Sequence, residues 1–133
     1  MKHLTLSVAL SLMTGSALAE DLRPAPDYYV DTLFALTMAE ALATSCSTMG
    51  MDLLAAGAAT NELQEKLESD GFDRDQPFAQ MIDPAPALRT LQETFLEKHP
   101  NLASPDEAQV CAVALAELEE GSLVGRYLNA GVE

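Results

Sequence analysis

Basic residues are scarce in this chain: seven Lys and Arg stand against 21 Asp and Glu. A nucleic-acid-binding face needs Lys and Arg gathered on one side. Beyond Lys2, the basic residues Arg23, Lys66, Arg74, Arg89, Lys98 and Arg126 are scattered along the chain. The excess negative charge repels nucleic acid and anionic lipid and favours solubility. Nucleic acid is therefore excluded as a partner. Histidine is nearly as rare, with only His3 and His99 present. A single histidine beside Pro100 reads as a solvated helix end, and by itself makes neither a zinc nor a haem site. Nor can one histidine in a loop serve a convincing Ser–His–acid triad. No apolar run reaches the about 20 residues a membrane-spanning helix needs, and Asp31 and Glu40 interrupt the longest one after the N-terminus.

The N-terminus instead has the order of a secretory signal. Lys2 and His3 supply a short basic start, residues 4–13 (LTLSVALSLM) an uncharged apolar stretch, and Thr14, Gly15 and Ser16 a break. Ala17-Leu18-Ala19 then gives a small-x-small cleavage site before Glu20. The expectation is a signal peptide over 1–19 and a periplasmic helical domain over 20–133, with no membrane span after cleavage. Six basic residues then face 21 acidic ones.

The domain reads as all-α, with four or five helices and no strand-like alternation. Residues 20–26 form a loosely held extended leader. Asp27 can cap a helix near 28–47, whose apolar residues Val30, Leu33, Phe34, Thr37, Met38, Ala41, Leu42 and Cys46 follow the i, i+3, i+4 spacing of one buried stripe. Gly50 breaks the chain, Asp52 can cap a second helix, and Gly71 can stop it in the left-handed conformation. Asp83-Pro84 ends a short helical turn. Pro84 or Pro86 starts a third helix lined by Leu88, Leu91 and Phe95 and closed by His99-Pro100. Ser104-Pro105-Asp106-Glu107 has the form of a capping box for the last helix. That helix carries Cys111, Ala114, Leu118, Gly121, Gly125 and Leu128 on one stripe. Two glycines there imply close approach of a neighbouring backbone, with the first helix as candidate. The alternative is that Gly121 ends the helix and Ser122 caps a short final one.

Two cysteines in an exported protein favour a disulfide, here Cys46 to Cys111. A loop of that length stabilises by about 4 kcal/mol in the chain-entropy account. A redox pair is the alternative, but such pairs are usually close in sequence. A second alternative is a Cu(I) site from Cys46, Met49 and Met51, since soft sulfur ligands select that ion. It would cost Cys46 its bridge, and methionine is a common core filler. The segment Asp70-Gly71-Phe72-Asp73-Arg74-Asp75 resembles a calcium loop only faintly, lacking the terminal bidentate Glu. No catalytic residue, metal ligand or cofactor is expected. The expected partner surface is Ser122, Arg126 and Tyr127, with Tyr127 facing outward; Arg126 can equally be a cation at a helix C-terminus.

Cys46, followed by Cys111 … Glu117 … Gly121-Ser122-x-Val124-Gly125-Arg126-x-Leu128, resembles a family of small exported alphaproteobacterial proteins known only as a domain of unknown function. The resemblance implies the same helical fold, the same disulfide, a periplasmic home and an accessory role at a respiratory or envelope complex. The Pro84-Ala85-Pro86 break and the strong acidity depart from that pattern. The expected function is a non-enzymatic module for an unknown protein partner. An acid-activated periplasmic holdase is the alternative, since neutralising many carboxylates can free apolar surface.

Overall fold

The computed structural model describes residues 21–131, so the expected signal segment 1–19 lies outside the described residues. Four α-helices and one short antiparallel ribbon make up the fold: α1 Asp27–Ser45, β1 Met49–Met51, α2 Leu53–Ser69, α3 Ala85–Lys98, α4 Glu107–Glu120 and β2 Leu128–Ala130. Single 3-10 turns lie at Pro77–Gln80, Pro100–Ala103 and Gly125–Tyr127.

The central element is α1, which touches α2, α3, α4 and β1. It starts without a side-chain cap. Pro26 sits at the cap position, its carbonyl accepting from the Tyr29 and Val30 amides, and Asp27 is already helical. An acidic residue in the first turn still suits the helix dipole. The buried face of α1 coincides only in part with the stripe that spacing suggests, sharing Val30, Leu42 and Cys46 with it. Ala35, Ala39, Leu42 and Cys46 are buried, whereas Leu33, Phe34 and Met38 are half-buried and Thr37 and Ala41 exposed. The helix is apolar on nearly every side, so periodicity alone cannot choose a face. Alanine decides it: Ala35, Ala39 and Ala114 of α4 are fully buried and allow the helices close approach.

After Cys46 the chain turns into β1, which pairs with β2 in the register Met49↔Ala130, Gly50↔Asn129 and Met51↔Leu128. This ribbon corrects the expectation of a last helix continuing to Leu128. Asp52 caps α2 as its sequence predicts, accepting from the Ala55 amide at 2.9 Å. Its own amide donates to the Tyr127 carbonyl. Helix α2 stops at Gly71, with φ +84°, and the Phe72 amide reaches back to the Leu67 carbonyl. Both residues are buried in a small second core with Tyr29, Val30 and Met81. The leader is pinned rather than loose: Arg23 donates to the Gln80 carbonyl and accepts from the Ile82 amide.

The start of α4 is one step away from the expected box. Asp106, not Ser104, is the cap, exchanging hydrogen bonds with Gln109. Glu107 is thereby free to accept from the Ser47 amide at 3.0 Å, which lowers its carboxyl pKa. Helix α4 ends at Gly121, left-handed at φ +62°, so the alternative reading of this region is the one that holds. Ser122 then caps the final turn, its hydroxyl accepting from the Gly125 amide at 2.9 Å. Gly125 is buried against the last turn of α4 itself, not against α1: a Cβ there would overlap the Glu117 carbonyl. The expected Cys46–Cys111 disulfide is present, with the Cα atoms 5.1 Å apart.

Candidate functional site

The inner face of α4 runs Val110, Val113, Ala114, Glu117. Its last member is a carboxylate, only 2% exposed. A buried charge survives only when paired and hydrogen-bonded, and Glu117 is fully served. Its Oε1 accepts from Lys98 Nζ at 2.8 Å and from His99 Nε2 at 2.6 Å, and its Oε2 accepts from the Ser122 hydroxyl. Lys98 also reaches Glu120 at 2.6 Å. Burial alone would push the Glu117 carboxyl up. The hydrogen bonds from Lys98, Ser122 and His99, with the Lys98 charge, outweigh it and hold the group below its ordinary value. Lys98 is correspondingly raised, chiefly by its hydrogen bonds to Glu117 and Glu120.

His99 is thus not the solvated helix end its sequence context suggests. It packs on the Phe95 ring, centroids 4.7 Å apart, with its Nε2 on the carboxylate. Serine, histidine and acid meet here, but in the wrong order for nucleophilic catalysis. A triad places the histidine between hydroxyl and acid, whereas here both donate to Glu117. The arrangement ties the end of α3, the last turn of α4 and the 121–127 segment together. Its signal in the sequence was a glutamate at helical spacing from Val110, Val113 and Ala114, masked by a stripe drawn through Leu118.

The expected partner residues do not form one patch. Ser122 turns inward to Glu117, Tyr127 is buried and only Arg126 is exposed. Tyr127 faces inward because the helix stops at Gly121, which changes the direction of every later side chain. With Tyr28 and Lys66, Arg126 and Tyr127 line a depression of about 150 Å³. Met49 lies in the core and Met51 packs against it, while Cys46 is committed to Cys111. Around the 70–75 loop, Asp70 accepts from the Tyr28 hydroxyl at 2.7 Å and Asp73 accepts from the Asp75 and Gln76 amides. Among the described residues, no group of three His, Cys, Asp or Glu is placed to hold a metal ion, and no helix is long and apolar enough to cross a membrane.

Concave surface lies where α1 meets α3. Two separate depressions, which share no lining residue, are formed there. One, of about 720 Å³, lies at their N-terminal ends and includes Val30, Ile82 and Leu91. The other, of about 340 Å³, is walled by Leu33, Phe34, Met38 and Leu88. Part of the stripe that spacing picked out on α1, Leu33, Phe34, Thr37, Met38 and Ala41, lines this second depression, while its other members, Val30, Leu42 and Cys46, are buried in the cores. Asp27, Asp31 and Asp83 line the first depression, with no Lys, Arg or His among its lining residues. Arg23, next to Pro24 of the lining, is engaged elsewhere. Its guanidinium lies 4.0 Å from the Phe72 ring centroid and donates to the Asp70 carbonyl.

No curated protein and no solved structure matches the chain. A family model described as a family of unknown function (DUF5333) matches residues 23–129, from the pinned leader through all four helices to the ribbon, and the chain belongs to that family.

Proposed function

We propose that the chain is an exported, non-enzymatic accessory module of a periplasmic envelope assembly, and that it meets its protein partner at the apolar depression lined by Leu33, Phe34, Met38 and Leu88. One observation carries the reading. A helix apolar all round belongs in an interior, yet α1 leaves Leu33, Phe34 and Met38 half-covered in an open depression. The disulfide and the signal-like N-terminus support an oxidising, exported setting. The Glu117 cluster supports a structural rather than a catalytic role, because its hydroxyl and imidazole are both spent on one carboxylate.

The test is the size of the native assembly. Wild-type protein in native cells should migrate with a larger complex, and Thr37→Arg should release it as a free chain. Thr37 is exposed within that depression, so the substitution should leave the melting temperature unchanged. A wild-type protein that migrates alone would overturn the proposal.

The second reading, an acid-activated holdase, has one observation in its favour. The clasp on Glu117 depends on an ionised carboxylate that acid would neutralise. Suppression of light scattering by a denaturing client at pH 3 but not pH 7 would favour it.

A further inference from the structure

The small depression beside the final turn is built differently from the two between α1 and α3. Its walls include Thr32 from α1, Leu63 and Lys66 from α2, and Leu123, Arg126 and Tyr127 from the segment after α4. The largest depression collects Asp27, Asp31 and Asp83 without a cation, whereas this one brings together two of the chain's few cations. Among the described residues, neither Lys66 nor Arg126 forms a salt bridge. Glu62 is the one carboxylate in the lining, which leaves one positive charge in surplus.

Tyr127 adds an independent observation. It is only 8% exposed, and its hydroxyl bonds to no described residue. The Tyr29 hydroxyl also lacks a partner but is sealed from water. That of Tyr127 is not sealed, and this depression is the surface that Tyr127 lines. A phenol so deeply set normally has a hydrogen-bond partner. The Thr32 hydroxyl is unspent too, whereas Thr60, Thr90 and Thr94 each donate to the carbonyl four residues back. We infer that this depression binds a carboxylate on a short apolar stem, held by Lys66, Arg126 and the Tyr127 hydroxyl.

The donors are fixed before any ligand arrives, which cuts the cost of binding. The Tyr28 hydroxyl donates to Asp70 at 2.7 Å, and Lys66 Nζ rests 4.4 Å from the centroid of that ring. Arg126 and Tyr127 lie on a tied turn: the Arg126 amide donates to the Ser122 carbonyl, and the Tyr127 carbonyl accepts from the Asp52 amide. Charge selects the class of anion. One surplus positive charge balances a carboxylate, whereas a phosphate carries up to about two charges at pH 7 and would leave Glu62 opposed. Size and polarity agree. About 150 Å³ is below the roughly 300 Å³ at which drug-sized ligands begin to fit, and Ala59, Leu63 and Leu123 offer the stem an apolar wall.

The probe is butyrate, with butyramide as its neutral counterpart and inorganic phosphate as a second anion. A short peptide ending in valine, with a free or an amidated C-terminus, separates a chain end from a free acid as the source of the carboxylate. The full chain is titrated in about 0.1 M salt, which screens repulsion from carboxylates more than about 10 Å away. Amide NMR shifts at Lys66, Leu123, Arg126 and Tyr127 report binding. Butyrate should bind about tenfold more tightly than butyramide, and more tightly than phosphate. Lys66→Gln and Arg126→Gln should each weaken it about tenfold. Both positions are exposed, so the fold is kept. Tyr127→Phe keeps the buried ring and should weaken binding about fivefold with an unchanged melting temperature.

No binding, equal binding of butyrate and butyramide, or tighter binding of phosphate would overturn the inference. So would butyrate binding that ignores Lys66→Gln and Arg126→Gln. A chain ending at Gly131 that binds butyrate when the full chain does not would make the protein's own C-terminus the occupant, which also overturns it. A free-ended peptide that binds more tightly than butyrate, and fails once amidated, supports the site and assigns it to a chain end. Butyrate binding more tightly than the peptide supports it as a site for a small acid.

Discussion

The two cores of this small protein are held by different means. Around Cys46 and Cys111, the disulfide, the β1–β2 ribbon, the Glu117 clasp and the alanine contact of α1 with α4 all converge. Around Tyr29, Leu67, Phe72 and Met81, the contacts are apolar packing and surface interactions. Arg23 lies over Phe72 and Lys66 over Tyr28, and the Tyr28 hydroxyl bonds Asp70. Burial and that bond push the Tyr28 pKa up to about 12. The larger depression opens beside this second, unlinked core, with Val30 in both. The contrast teaches a division of labour: covalent and ionic cross-links hold one core, apolar packing the other, and the uncovered apolar surface of α1 spans both, with Phe34 and Met38 against the first and Leu33 against the second.

The strongest way to break that contrast is to reduce the disulfide. A bridge spanning 65 positions constrains the unfolded chain by about 4 kcal/mol, a large share of what a domain of this size has. Reduction should lower the melting temperature sharply. Hydrogen exchange should speed first in β1, β2 and α4, with the Phe72 and Met81 amides following only at global unfolding. Uniform acceleration would mean that the two cores are one cooperative unit.

Two glycines sharpen the comparison within the linked end. Gly125 has ordinary backbone angles but no room, since a Cβ would overlap the Glu117 carbonyl and carbon. Gly121 has room, with nothing within 4 Å, but sits at φ +62°. Gly125→Ala should therefore destabilise by about 3 kcal/mol, as backbone must move. Gly121→Ala should destabilise by about 1 kcal/mol, the cost of a left-handed non-glycine residue. Chemical denaturation of both variants checks the order. Equal losses would mean that the 121–127 turn yields around an added methyl.

What was legible in the sequence was local. The four helices, the Asp52 cap, the Gly71 stop and the Cys46–Cys111 pairing all rest on short spacings or on cysteine count. The ribbon was invisible because Met49–Met51 and Leu128–Ala130 are three-residue strands whose only reason to pair lies across the fold. The face of α1 was legible only in part, at Val30, Leu42 and Cys46, because an apolar residue at every turn permits several stripes and the smallest side chains, Ala35 and Ala39, take the closest contact. The Glu117 clasp was hidden for a related reason. His99 and Glu117 are 18 positions apart, and nothing near either one says that they meet.

That clasp supplies the smallest and most specific test, because its pH dependence has a definite sign. The folded Glu117 carboxyl lies below its ordinary value of 4.5, so it contributes stability that is fully present above that pH. The contribution is lost as pH falls through the depressed folded value. Lys98 is raised above 10.5, so its contribution is present below that pH and fades as pH rises through the raised value. Both describe one ion pair, whose window lies between about 4.5 and 10.5. Glu117→Gln removes the charge while keeping the shape, and should cost about 1–2 kcal/mol at pH 7. The gap between wild type and variant should narrow as pH falls below 4.5 and close as it passes the depressed folded value, where the wild-type carboxyl is neutral as well. Taking this difference cancels the titration of the other carboxylates, which both proteins share. Urea melts at pH 7, 5, 4 and 3 give the curve. A gap that stayed constant to pH 3 would mean that hydrogen-bond geometry, rather than charge, closes the clasp.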